Sequence, residues 1–297
     1  MVLVERFRVA AVLLALVAFA SNSLLCRRAL GTGAIDPGAF TLIRLLSGAL
    51  TLALLVPGQK TESRAGELAP WAGASALFLY AASFSFAYVR LPAGVGALVL
   101  FAATQATMIG WGIHRGDRPG GRESLGIVVA LGGLIGLAAP GRTAPDGVGV
   151  ALMLVSGAAW GAYSLLGRSA PNAILANASA FARAAIPATL LAILPGTAHT
   201  LSSPGVLLAV VSGAVTSGIG YSLWYAALPH LSRSSAAAIQ LTVPVIAAVA
   251  GVLLLGEAMT LRLAVAGVVI LGGVALARPV FRTAESLRKT GRAEGMQ

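Results

Sequence analysis

Apolar residues along this chain gather into long runs, and the polar ones gather between them. Reading outward from each cluster of charge, proline and glycine marks ten apolar segments: 9–26, 38–57, 71–89, 92–113, 125–139, 148–166, 176–195, 205–227, 234–255 and 262–277. Most approach the ~20 residues that carry a helix across ~30 Å of hydrocarbon. The shortest, 125–139 and 262–277, can borrow a turn from their flanks. In lipid the backbone has no water to bond, so each segment must satisfy its own amides, and the pattern predicts helices. The alternating ~10-residue stretches of a transmembrane barrel do not occur. The expected fold is all-α and integral to the membrane, with ten transmembrane helices.

Composition sharpens this picture. Hydrophobic residues make up 57% of the 297 positions and charged ones only 10%, well below the ~25% of soluble domains. Ten acidic and 21 basic side chains could not cover the surface of a soluble fold this large. The net charge of +11 would suit a nucleic-acid partner, but the basic residues sit at segment ends rather than along one face. Topology accounts for them. With the N-terminus in the cytoplasm, that side holds Arg6, Arg8, Lys60, Arg64, Arg115, Arg118, Arg122, Arg168, Arg233 and the basic tail 278–297. The other side holds Arg27, Arg28, Arg90, Arg142 and Arg262. Positive charge favours the cytoplasmic side, so both termini are expected in the cytoplasm. Residues 1–20 also have the look of a signal peptide. The single cysteine, Cys26, excludes an internal disulfide and, alone, a metal site.

The chain repeats itself. "AFASNSLLCR" (18–27) aligns with "AWGAYSLLGR" (159–168), and "FTLIR" (40–44) with "SAFAR" (179–183). "FSFAYVRLP" (84–92) aligns with "YSLWYAALP" (221–229), and 116–138 resembles 256–277. A leader to be cleaved has no reason to match a mid-chain helix, so the first segment is expected to stay. Each half then holds five spans, 1–139 and 148–277. Five is odd, so the second half enters the membrane from the opposite side. Such inverted repeats are the plan of many secondary transporters, with the substrate site near the midplane where the halves meet.

Two permanent cations lie within spans, Arg44 and Arg183, and the repeat makes them mates. At 1.5 Å per residue each enters about 10 Å deep. Burying each costs about 2.5–3.5 kcal/mol on an insertion scale, so both should face protein or water. Each either holds an anionic substrate group or a gate, or braces the structure by snorkelling or by bonding carbonyls at a neighbouring helix end.

These features resemble the drug/metabolite transporter superfamily, and within it the ten-helix branch built of paired EamA-type repeats. The resemblance covers roughly 9–277. It is strongest in "PVIAAVAGVLLLGEAMTLRLAVAGVVILGGVALA" (244–277), with a proline in the ninth helix, Gly256-Glu257 at a turn and a glycine-rich tenth helix. Arg44, Arg183 and Trp160-Gly161 fit as well. The first half departs from the pattern, with Gly116-Asp117 where the second has Gly256-Glu257. The resemblance implies a carrier of metabolites in the cytoplasmic (inner) membrane of a bacterium, and the bacterial branch most similar to this chain is rich in exporters of amino acids, aromatic ones included.

Candidate lining residues share helical faces. The third span offers Tyr80, Ser83, Phe84 and Tyr88; the fourth Phe101, Thr104, Gln105, Met108 and Trp111. Trp160 and Tyr163 lie on the sixth, Ser217, Tyr221, Trp224 and Tyr225 on the eighth, Asn22 on the first and Gln240 on the ninth. An apolar cavity edged by amides, hydroxyls and rings suits a small amphipathic solute. Rings could stack on an aromatic substrate or attract a cation. Trp71, Trp111 and Tyr88, near span ends, read instead as interfacial belts. The glycines of 131–136 and 271–276 read as close helix contacts. Pro187 and Pro244 lie inside helices, where a bend is expected, and "NAS" at 177–179 reads as a chance match to a glycosylation acceptor.

Every acidic residue and histidine falls at or outside span ends. Proton-driven carriers usually keep a titratable group on the path, so facilitated diffusion or exchange without a coupling ion is expected. Asp36 and Glu257 stand nearest the spans if a proton is coupled after all. The same distribution argues against an enzyme, because no base or metal cluster can be assembled within the spans. No cofactor is expected. The partners expected are a small solute and the bilayer, with oligomeric state open. Carriage of organic cations or drugs, proton-coupled antiport, and a non-transporting scaffold are the alternatives.

Overall fold

The computed structural model describes residues 2–55, 68–116, 120–167, 172–193, 200–227 and 239–277. Among these the chain is helical, and the only extended pairing is one isolated antiparallel bridge between Ile35 and Leu201. The helices are α1 (Val2–Gly31), α2 (Pro37–Leu55), α3 (Leu68–Arg90), α4 (Ala93–His114), α5 (Gly121–Ala138), α6 (Gly147–Gly167) and α7 (Ala173–Ile193). Then come α8 (Ser203–Val211), a π-helical stretch (Ser212–Ile219) and α9 (Gly220–Ala227), which run on as one eighth span. α10 (Thr242–Leu255) and α11 (Leu261–Leu276) form the ninth and tenth.

Among the described residues, eight spans are long and apolar enough to cross a membrane; α10 and α11, of 14 and 16 residues, are shorter. The ninth expected segment, 234–255, falls partly outside the described residues, and the basic tail 278–297 wholly outside them. Helical backbone at Ile239 and Gln240 gives way to a turn at Leu241 before α10 begins. Pro244 is in the first turn of α10, three residues past the turn at Leu241 that interrupts the helical backbone. Pro187 does lie inside α7.

Large apolar side chains point outward: Leu54, Leu253 and Leu261 are 71%, 75% and 80% exposed. In water such a surface would be an association site; against lipid tails it is the expected exterior.

The joins from odd to even spans meet on one face. Asp36 N donates to Thr200 O at 2.9 Å and Ser202 N to Ala34 O at 3.1 Å. Arg27 Nε meets Glu257 Oε1 at 3.2 Å, while its Nη1 donates to Tyr88 O and Val89 O at the end of α3. Both oxygens of Glu257 accept from Ala93 N, at 3.0 and 2.8 Å, closing the start of α4. Arg262 donates to Ala139 O, and Arg90 pairs with Asp146 at 3.5 Å.

Exchanging each span for the one five further on maps the packing onto itself. α2 packs on α7, α4 on α10 and α5 on α11; α3 packs on α6 as the eighth span packs on α1. This exchange carries an odd-to-even join onto an even-to-odd one, which lies at the opposite face.

Small residues allow the tightest approaches. A Cβ on Gly133 would meet Ile270 and Val269, and one on Gly273 would meet the backbone of Ala130 and Gly126. These are the expected contacts between α5 and α11. Gly132, Gly136 and Gly272, also expected in contact, have nothing within 4 Å of such a Cβ. All three are exposed on the surface of their helices.

Candidate functional site

The centre of the molecule is a ladder of aromatic rings. Tyr88 packs on Phe84 at 4.7 Å between centroids, Phe84 on Tyr80 at 5.3 Å and Tyr80 on Trp160 at 4.9 Å. Trp160 packs in turn on Tyr221 at 5.2 Å and on Tyr163 at 5.6 Å. Phe19 and Phe181 close on Tyr221 from α1 and α7, and Phe19 also meets Trp224. Five spans thus converge. Tilted and edge-on geometries recur, as the ring quadrupole favours.

The Tyr80–Phe84–Tyr88 row follows from the spacing of α3, where i, i+4 and i+8 share a face. It also corrects the expectation for Tyr88. This side chain is fully buried and its hydroxyl donates to Ala93 O at 3.3 Å, so it is core and not interfacial belt. Trp71 and Trp111 are 48% and 45% exposed, as belts should be.

A polar network crosses the ladder. Arg44 is 1% exposed, and the rings of Tyr80 and Phe84 lie 5.2 and 5.1 Å from its guanidinium carbon. Its Nη2 donates to Tyr80 Oη at 2.9 Å, and its Nε to Ser217 Oγ at 3.4 Å; Nη1 is buried without a partner. Asn22 donates to Tyr80 Oη at 3.5 Å and accepts from Ser212 Oγ at 2.7 Å and Thr216 Oγ1 at 3.2 Å. Ser156 Oγ of α6 donates to Tyr80 O at 3.0 Å.

The π-helical stretch sets up this network. Ser212 O accepts from both Thr216 Oγ1 and Ser217 Oγ, and the wider π turn keeps all three side chains on the inner face. Gly213 lies against α2, where a Cβ would collide with Arg44 O and Ser47 Oγ. That close approach brings Ser217 within reach of Arg44.

The two intramembrane arginines are not equivalent. Arg183 is half-buried, donates to Ser179 O of its own helix at 3.4 Å and lies 5.8 Å from the exposed ring of Trp71. It braces and snorkels. Arg44, entering from a similar depth, turns inward to Tyr80, midway along α3.

Of the sequence candidates, Asn22, Arg44, Tyr80, Phe84, Trp160, Tyr163, Tyr221 and Trp224 come together. Phe101 and Gln105 are buried on α4, and Gln240 is half-buried ahead of α10. Among the described residues, no hydrogen bond or ring contact joins these three to the cluster. Thr104 ties α4 to α6 through Gly157 O at 3.1 Å. Sequence reasoning missed Phe19, Phe181, Ser156, Ser212 and Thr216. The repeat held a signal for Phe19, which aligns with Trp160. Asn177 of the "NAS" match is buried and accepts from Tyr163 Oη. Among the described residues, no three His, Cys, Asp or Glu side chains are grouped to hold a metal ion.

A bundle of apolar spans, lipid-facing outside and polar and aromatic at its centre, defines a multi-pass membrane protein built to handle a small molecule. Residues 147–278 match the model of the EamA-like transporter family. The chain is 30% identical over 190 residues to an uncharacterized transporter of Archaeoglobus fulgidus, covering 62% of this chain and 67% of that one. It is 50% identical over 266 residues to the uncharacterized protein PA1977 of Pseudomonas aeruginosa, covering 89% and 91%. A solved crystal structure, 21% identical, superposes with a TM-score of 0.65 over 93% of this chain and 99% of its own, which shows the shared fold. The chain belongs to the EamA-like transporter family of the drug/metabolite transporter superfamily, and it is a membrane transporter of small molecules.

Proposed function

We propose that this chain moves small amphipathic metabolites, foremost aromatic and other neutral amino acids, out across the bacterial cytoplasmic membrane. The two halves, 1–139 and 148–277, would rock against each other so that the central site opens to one side at a time, with both termini in the cytoplasm. The observation that carries this reading is the ring ladder Tyr80–Trp160–Tyr221 beside Arg44. It joins α3 of the first half to α6 and α9 of the second, where a repeat-built carrier holds its solute. The exchange symmetry of the packing supports the division into halves.

Transport without a coupling ion is supported by how the acids nearest the spans are used. Asp36 Oδ1 accepts from Gly38 N and Ala39 N at the start of α2, and Glu257 holds Arg27 and Ala93 N. Both are engaged in fixing helix ends. Against organic cations stands Arg44, whose positive charge at the centre repels a second one.

Uptake into proteoliposomes across a panel of labelled amino acids and cations, with and without a proton gradient at fixed voltage, tests the reading. Flux of aromatic or neutral amino acids unaffected by the gradient is expected. Flux that rises with the gradient would sink the uncoupled mechanism. Tyr163→Ala and Tyr221→Ala should shift the order of preferred solutes several-fold, with near-normal protein yield.

A further inference from the structure

The surroundings of Arg44 are short of one negative group. Its two partners, Tyr80 Oη and Ser217 Oγ, are neutral hydroxyls, and the flanking rings of Tyr80 and Phe84 offer only their quadrupoles. Nη1 is buried and bonds to nothing. A guanidinium carries five donors and no acceptor, and it stays charged at any pH the protein meets. A buried charge with an open donor is destabilising until an acceptor completes it, and a planar carboxylate is the natural complement because it also offsets the charge. The nearest acids of the chain are held elsewhere: Asp36 on the first turn of α2, Glu257 on Arg27 and the start of α4.

We propose that Arg44 is the docking point for a carboxylate of the transported solute. The carboxylate completes Nη1 while the solute's apolar part rests on the rings of Tyr80, Trp160 and Tyr221. The inference rests on the transporter reading and deepens it: the required feature of the substrate is its acid group, and its amino group is dispensable. Arg183, half-exposed beside Trp71, offers no second such site, so one solute carboxylate is held, and by the first half.

The test uses the intact protein in proteoliposomes and three probes of one shape: phenylalanine, 3-phenylpropionate and 2-phenylethylamine. Each is run as labelled tracer and as competitor. The expected result is that the two acids exchange with each other, while the amine is at least about tenfold weaker in both roles, the factor that ~1.4 kcal/mol represents. In Arg44→Gln the ratio of acid to amine should fall toward one, with Arg44→Lys between. A ratio within one preparation cancels the fraction of protein that is folded, and the wild-type series decides the matter alone if the variants fail to assemble. An amine that moves as well as its acid overturns the proposal and leaves the transporter reading standing. No flux of any probe counts against both. Replacing chloride by isethionate should leave acid exchange intact; exchange that requires chloride would assign Nη1 to an inorganic anion and overturn the proposal.

Discussion

Gly213 lacks a side chain where α2 comes closest to the eighth span. A methyl there would drive into the backbone carbonyl of Arg44, which cannot move aside without shifting α2, and into the hydroxyl of Ser47. Overpacking of this kind costs about 1–3 kcal/mol, so Gly213→Ala should lower the thermal unfolding midpoint in detergent. Gly272→Ala, with open space at the same atom, should leave the midpoint unchanged or raise it slightly. Single residues were readable from sequence where chemistry alone singled them out. A cation in an apolar run forced attention to Arg44. Which of two aligned arginines turns inward was not readable, because that depends on Tyr80 and Ser217 arriving from other spans. Tyr88 misled for a related reason: position near a span end says nothing about which side of the helix faces the bundle. Phe19 was legible only through its alignment with Trp160, since an isolated phenylalanine in an apolar run carries no signal.

Among helices, the starts and stops are fixed by a few charged contacts on one face. Pro92 precedes α4 and supplies no side-chain cap, so Glu257 of the α10–α11 join reaches across to bond Ala93 N. Glu257→Gln keeps an acceptor for Ala93 N and discards the charge that holds Arg27. Hydrogen bonds to charged groups contribute about 1.5–3 kcal/mol, so the variant should lose about 1–3 kcal/mol in thermal unfolding. Amide exchange should quicken at the start of α4 more than in α5. The apolar runs located these elements because length and hydropathy are what a bilayer demands of a span. They could not reveal the π-helical stretch at Ser212–Ile219. Hydropathy is indifferent to whether a turn closes over four residues or five. The cause is tertiary: Gly213 and Gly218 settle against Arg44, Ser47 and Thr51 of α2. The tenth helix, Leu261–Leu276, has the length that the run 262–277 predicts.

At the scale of the molecule, the inverted repeat was legible because it is written in the sequence itself, as two halves that align. The packing follows it, with α2 on α7, α4 on α10 and α5 on α11. Met1 and Gln297 are therefore expected on the same side of the membrane, which protease protection of terminal tags in inverted and right-side-out vesicles can check. What neither alignment nor hydropathy could supply is how the rings of both halves meet, since that needs the depth and rotation of every helix at once. Cys26, the sole cysteine and fully buried, makes the direct test practical. In a Cys26→Ser background, Tyr221→Cys places one thiol in the ring ladder of the intact protein. A membrane-impermeant thiol reagent, applied from either side of sealed vesicles, should label it, and saturating aromatic amino acid should slow that labelling from both sides. Labelling from one side alone, or labelling indifferent to every solute tried, would contradict a central site that opens alternately to each face of the membrane.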